Sequence, residues 1–152
     1  HITGPESFAS VGERADAFRG VAGNNAPVLH GSWSEAWGHE AIDRLWRSGS
    51  DKPDGIFCGN DQIARGVVDA LRERHVAVPR DVSVIGFDNW EIMAEQTRPP
   101  LTTVDMNLKD LGREAGLTVL ALAEGEAIEP GVRRLPCKLV VRKSCGGESR
   151  PF

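Results

Sequence analysis

The residues best suited to recognising another molecule gather in four short segments, 4–7, 31–34, 59–62 and 87–90. These hold short polar groups (Asn60, Asp61, Asp88 and Asn89) and two indole plates (Trp33 and Trp90), and one guanidinium, Arg14, comes after the first segment. Carboxylates and amides accept from hydroxyl groups, arginine donates to them, and an aromatic face covers the apolar side of a sugar ring. The mixture therefore suits a polyhydroxylated ligand. Each residue also has a purely structural reading. Asn60 and Asp88 are residue types that cap helices and close strand ends. Trp33 could staple the helix that Ser34 caps, and Arg14 could form a surface salt bridge. Position alone leaves both readings open.

Reaction chemistry finds less support. The sequence lacks G-x-x-x-x-G-K-[ST] and G-x-G-x-x-G, and Gly31-Ser32-Trp33-Ser34-Glu35 departs from the G-x-S-x-G elbow at its last position. The histidines, at 1, 30, 39 and 75, stand singly, and His30 near Ser32 reads better as a turn residue than as a base. Cys58, Cys137 and Cys145 are odd in number and widely spaced, which suits neither a disulfide framework nor a zinc site. A reducing cytoplasm, no metal and no cofactor are expected, and the chain is not expected to be an enzyme. Gly112 and Gly116 form a G-x-x-x-G on a charged helix, which implies close helix packing at most.

Composition sets the frame for these groups. The 152 residues include 18 Lys+Arg and 22 Asp+Glu, a formal charge of −4 that leaves no electrostatic footprint for nucleic-acid phosphates. The length supports one core, and 40% hydrophobic with 26% charged residues is a folding composition. No apolar run reaches the roughly 18 residues needed to span a bilayer. The most apolar stretch, 117–123, is interrupted by Thr118, and the N-terminal residues lack the pattern of a secretion signal.

Short β-type runs alternate with segments of helical period, which predicts an α/β fold with a parallel sheet and helices on both faces. Ile2-Thr3 precede a stripe of Val11, Ala15, Phe18 and Ala22. Residues 27–30 lead to the Ser34 cap and a helix with Trp37, Ala41, Ile42, Leu45 and Trp46 on one side, stopped by residues 48–50. Residues 55–59 read as a fully apolar strand, and Asn60-Asp61 open a helix with Ile63, Val67, Ala70 and Leu71 inward. Next come a strand at 82–87 and another at 101–104. Asn107 and Asp110 offer a capping pair for a helix carrying Leu108, Leu111, Ala115, Val119 and Leu122, and 132–142 reads as a β-rich tail. In such sheets ligands bind beyond the carboxyl ends of the strands, where the four polar segments lie. The first strand is so short that the sequence reads as part of a larger architecture.

Four ordered motifs carry a resemblance to a known family. They are Gly59-Asn60-Asp61-Gln62-Ile63-Ala64-Arg65-Gly66, Val78-Pro79-Arg80-Asp81-Val82-Ser83-Val84-Ile85-Gly86-Phe87-Asp88, Pro99-Pro100-Leu101-Thr102-Thr103-Val104 and Leu135-Pro136-Cys137-Lys138-Leu139-Val140-Val141-Arg142-Lys143-Ser144. Together they resemble the LacI/GalR family of bacterial transcriptional regulators over nearly the whole chain. The resemblance implies a periplasmic-binding-protein type I-like fold, of which this would be the C-terminal half of the effector-binding domain without its DNA-binding headpiece. Carried over residue by residue, it makes Arg14, Trp33, Asn60 and Asp88 effector contacts. Met106 falls where many relatives have a polar residue near the hinge, a departure from the family pattern.

The same resemblance implies a lobe made of 1–100 and 132–145, with 101–125 crossing to the other lobe. It also implies a homodimer interface at the helix starting near Asp61 and at 89–97. The expected partner is a small-molecule effector, a carbohydrate by the chemistry above. Operator DNA would be reached only through the absent headpiece. With one lobe's share of the cleft, weak effector affinity is expected, and an uncovered apolar face on the helix after Asn107 would drive dimerisation or swapping. A transport-type sugar-binding protein of the same fold is the alternative.

Overall fold

Strands of only two to six residues can build a continuous sheet when helices cover its inner strands, and this chain does so. The computed structural model describes residues 1–47 and 52–147. β1 (Ile2–Thr3) runs parallel to β2 (Leu29–His30); β3 (Gly55–Phe57), β4 (Ser83–Asp88) and β5 (Thr102–Asp105) are parallel to one another. A parallel bridge between Ile2 and Cys58, with the Gly59 N–H donating to the Ile2 carbonyl at 2.8 Å, joins the two groups. The spatial order is β2-β1-β3-β4-β5, and the antiparallel β6 (Lys138–Val140) closes the β5 edge. Strand order reverses between β1 and β3, so the loops leaving their carboxyl ends diverge and open a crevice.

The helices are held by their apolar faces. α1 (Ala9–Ala22) buries Val11 and Ala15 and ends at Gly23, whose φ of 94° suits a residue without a Cβ. α2 (Glu35–Arg47) begins where the Ser34 hydroxyl accepts from the Trp37 N–H at 3.2 Å. The stop expected at 48–50 lies outside the described residues. α3 (Asp61–Glu73) carries Ile63, Val67, Ala70 and Leu71 on its fully buried face. It meets α2 backbone to backbone: a Cβ on Gly66 would overlap the Glu35 carbonyl, and one on Gly38 would press on the Ile63 carbonyl. Ile42 and Ala41 of α2 complete this core, with Leu45 and Trp46 half-buried at its margin.

The C-terminal third differs from the sequence reading in several places. β5 is an inner strand of the same sheet, with Leu101, Thr102 and Thr103 all 0% exposed. The expected crossing segment 101–125 therefore divides, and only its part beyond Asp105 leaves the sheet. α5 (Leu108–Ala123) has no buried residue, and Leu111, Ala115, Val119 and Leu122 line an open groove with Ile128, Pro130 and Leu135. Asn107 is left-handed at φ 56° and makes no side-chain cap; its own N–H instead donates to Asp105 Oδ1 at 2.7 Å, so the expected Asn107–Asp110 pair does not form. Of the tail read as β-rich, only Lys138–Val140 is strand, because only those residues find β5 to pair with. Gly112 and Gly116 face open space, so their G-x-x-x-G packs against nothing among the described residues. β3 is shorter and less buried than read, with Gly55 exposed at its start. Among the described residues no helix is long and apolar enough to cross a membrane.

Candidate functional site

The carboxyl ends of β1, β2, β3, β4 and β5, with the segments that follow them, bring Arg14, Trp33, Gly59, Asn60, Asp88 and Met106 to the walls of one hollow of ≈ 190 Å³. All five sequence candidates thus converge at the crevice, joined by the backbone of Gly59.

Arg14 reaches this hollow from the second turn of α1. Its Nη1 donates to the Gly59 carbonyl at 2.7 Å, and its guanidinium carbon lies 3.9 Å from the centroid of the Phe87 ring. It makes no ion pair among the described residues, contrary to the salt-bridge alternative. Burial lowers its pKa, an effect opposed first by the nearby Asp88 charge. Trp33 lies flat against Gly4, where a Cβ would overlap its indole, and meets the edge of Phe8 at a centroid distance of 6.1 Å. The staple reading fails because the fourth residue of α2 is Gly38, which has no side chain to pack.

Asn60 does two jobs. Its Oδ1 accepts from the Ile63 N–H at 2.8 Å and caps α3, which satisfies the structural reading, while its Nδ2 has no protein partner among the described residues. Asp88 caps nothing; Trp90 occupies the N-cap of α4 (Glu91–Ala94). Instead Asp88 sits at φ 110° and Asn89 at φ 54°, successive left-handed residues of a kind that cost on the order of 1–3 kcal/mol each and persist only when the surroundings hold them.

The Asp88 carboxyl is pushed up to about 6, chiefly by burial and then by the charge of Asp61, against a lowering by Arg14. Asp61, 1% exposed, holds this turn from below: it accepts from the Trp90 N–H at 2.8 Å and the Thr103 hydroxyl at 2.5 Å. Burial raises its pKa more than these bonds lower it. Met106 supplies an apolar patch of wall.

Trp90 points elsewhere, 48% exposed and outside the hollow. Ser32 pairs with the Ser34 hydroxyl at 2.8 Å rather than with His30, whose Nδ1 is buried without a partner among the described residues, so no nucleophile–base pair forms there. Among the described residues no cluster of three or more metal-ligating side chains occurs. Sequence reading counted Asp61 among the polar groups at the strand ends but gave Gly59 and Phe87, in the same segments, no role in the site. The only available signal was their adjacency to Asn60 and Asp88.

Known proteins place this geometry. A family described as a periplasmic binding protein-like domain matches residues 8–145. The HTH-type transcriptional repressor CytR of Escherichia coli (strain K12) is 36% identical over 149 residues, which is 94% of this chain and 43% of that protein. The solved lac repressor dimer bound to operator and the anti-inducer ONPF is similar with a TM-score of 0.83 and 30% identity, over 95% of this chain and 44% of that one. The transcriptional regulator CelR–cellobiose complex gives 0.80 and 30%, over 94% and 45%. The chain spans less than half the length of these relatives, which are regulators of transcription and not enzymes. Sequence and fold agree: the chain belongs to the periplasmic-binding-protein-like domain family of LacI-type transcriptional regulators.

Proposed function

We propose that this chain is the effector-sensing and dimerisation part of a bacterial, cytoplasmic transcriptional regulator, and that its hollow binds a small sugar. The observation that carries this reading is the meeting of Arg14, Trp33, Asn60 and Asp88 in one crevice at the β1/β3 switch point. The chemistry is complementary to a polyol: Asp88 accepts, Arg14 and the Asn60 amide donate, and Trp33 with Met106 covers apolar ring carbons. CelR, a relative of similar fold, is known as a complex with cellobiose, which favours the carbohydrate class.

The ligand would act by preferring one arrangement of two lobes, a population shift passed on to a DNA-binding headpiece. Residues 1–152 supply one lobe's share of the cleft, so tight binding belongs to the longer gene product. Dimerisation is supported by Trp90 and Ile92, 48% and 65% exposed within 89–97, and by the open face of α5.

A transport-type sugar-binding protein of the same fold is the second reading, favoured by the family description itself. Sequencing the gene upstream of the His1 codon separates the two. A helix-turn-helix segment is expected, and a secretion signal would overturn the regulator reading. Calorimetric titration of the longer product with cellobiose and sucrose tests the ligand class, and failure of every sugar in a wider panel would remove it.

A further inference from the structure

Two opposite charges share the hollow without pairing. Arg14 uses one N–H on the Gly59 carbonyl and lays its flat face on Phe87, 3.9 Å from the ring centroid; no hydrogen bond or ion pair links it to Asp88, which lies close enough to be felt electrostatically. An arginine face on an aromatic ring is held by dispersion and by the ring quadrupole, the more strongly as the site loses water. Phe87 in turn packs against Phe57, the ring centroids 6.5 Å apart and the planes inclined at 63°. The ring thus competes with the Asp88 carboxylate for the guanidinium, and the ring has it.

We propose that Phe87 is a positioning residue of the cleft, whose face keeps Arg14 from collapsing onto Asp88 so that both remain free for a ligand. This rests on the reading of the hollow as an effector site. Removal of the ring frees a long side chain beside an unpaired carboxylate, and the two then neutralise each other. The site would lose an acceptor and a donor at once, although neither residue had been altered.

The test begins without any ligand, so that its outcome is separate from that of the sugar reading. In NMR of the isotopically labelled protein, the Arg14 side-chain resonances carry a ring-current shift that Phe87→Tyr retains and Phe87→Leu loses. The groups acting on the Asp88 carboxyl are Asp61 on α3 and Arg14 on α1, and its midpoint of about 6 should fall toward the ordinary value of about 4 in Phe87→Leu. The fall should vanish when Arg14→Met is added, which a merely structural role would not produce. Phe87→Met offers the same comparison if Phe87→Leu does not fold. With cellobiose as probe on the longer gene product, Phe87→Leu should weaken binding roughly 2- to 30-fold and Phe87→Tyr should restore it. An unchanged Arg14 resonance and Asp88 midpoint in Phe87→Leu would overturn the proposal.

Discussion

Thr103 donates its hydroxyl to Asp61 across 2.5 Å, tying the first turn of α3 to β5. The Trp90 N–H reaches the other carboxylate oxygen, so one buried acid fixes the start of a helix, an inner strand and the turn that carries Asp88. Thr103 is fully buried, and Thr103→Val would leave that acid short of a donor. The expected cost is about 1.5–3 kcal/mol, read as a lower midpoint in urea, with Thr103→Ser near wild type. An unshifted midpoint in the valine variant would show that the bond is dispensable.

Asp88 gives stability an uncommon pH dependence. Its folded-state pKa of about 6 lies above the ordinary value of about 3.9, so the folded protein holds this proton more tightly than the unfolded chain does. This contribution is therefore fully present below about pH 4, declines as pH rises through about 6, and is flat above that. Asp88→Asn should reduce the decline, leaving the part that buried Asp61 contributes, and melt at a higher temperature than wild type at pH 7. Parallel melting curves from pH 4 to 7 would refute the assignment.

The two roles of Asn60 separate by substitution. Asn60→Ala removes the cap of α3 and should cost about 0.5–2 kcal/mol. Asn60→Asp keeps a capping oxygen but loses the amide donors, so thermal stability should hold while sugar affinity of the longer gene product falls. Loss of both together would indicate that the amide serves the helix alone.

Two glycines predict opposite signs. Gly66→Ala drives a methyl group into the Glu35 carbonyl and should destabilise by about 1–3 kcal/mol as α2 and α3 separate. Gly12→Ala, in α1 with no described residue near the added methyl group, should stabilise by about 0.5–1 kcal/mol. Equilibrium denaturation of the pair checks both, and equal effects would contradict the close crossing.

The open face of α5 should make the isolated chain associate. Sedimentation at high concentration is expected to exceed the monomer mass, and Leu111→Glu or Val119→Glu to restore it. A wild-type monomer under those conditions would count against the proposed self-association.

Local patterning made most of this architecture legible. The inward face of α3 was readable because Ile63, Val67, Ala70 and Leu71 recur at helical spacing and nothing competes for them. The convergence of Asn60 with Asp88 was readable from strand-end position, since topology determines which loops meet, whereas Arg14, on α1, was pointed there by the family resemblance. Contact at the level of atoms was not readable in this way. Gly112 and Gly116 have the spacing of a packed pair and meet nothing among the described residues, whereas Gly38 and Gly66, on different helices, make the tight crossing. Spacing within one helix carries no information about which surface another helix brings to it. Phe87 was hidden likewise, because an alternating strand gives a phenylalanine no mark that distinguishes a platform for a cation from ordinary core.

The cap on α3 also gives the hollow a direction. With its oxygen committed to the Ile63 amide, the Asn60 carboxamide cannot turn over without unwinding the helix start, so its Nδ2 can only give a hydrogen bond to a guest. The ionised Asp88 can only receive one. A hydroxyl can serve either residue, but a guest oxygen that only accepts, such as a carbonyl or ring ether, is turned away from Asp88 and toward Asn60, a preference set by a residue whose first duty is to begin a helix.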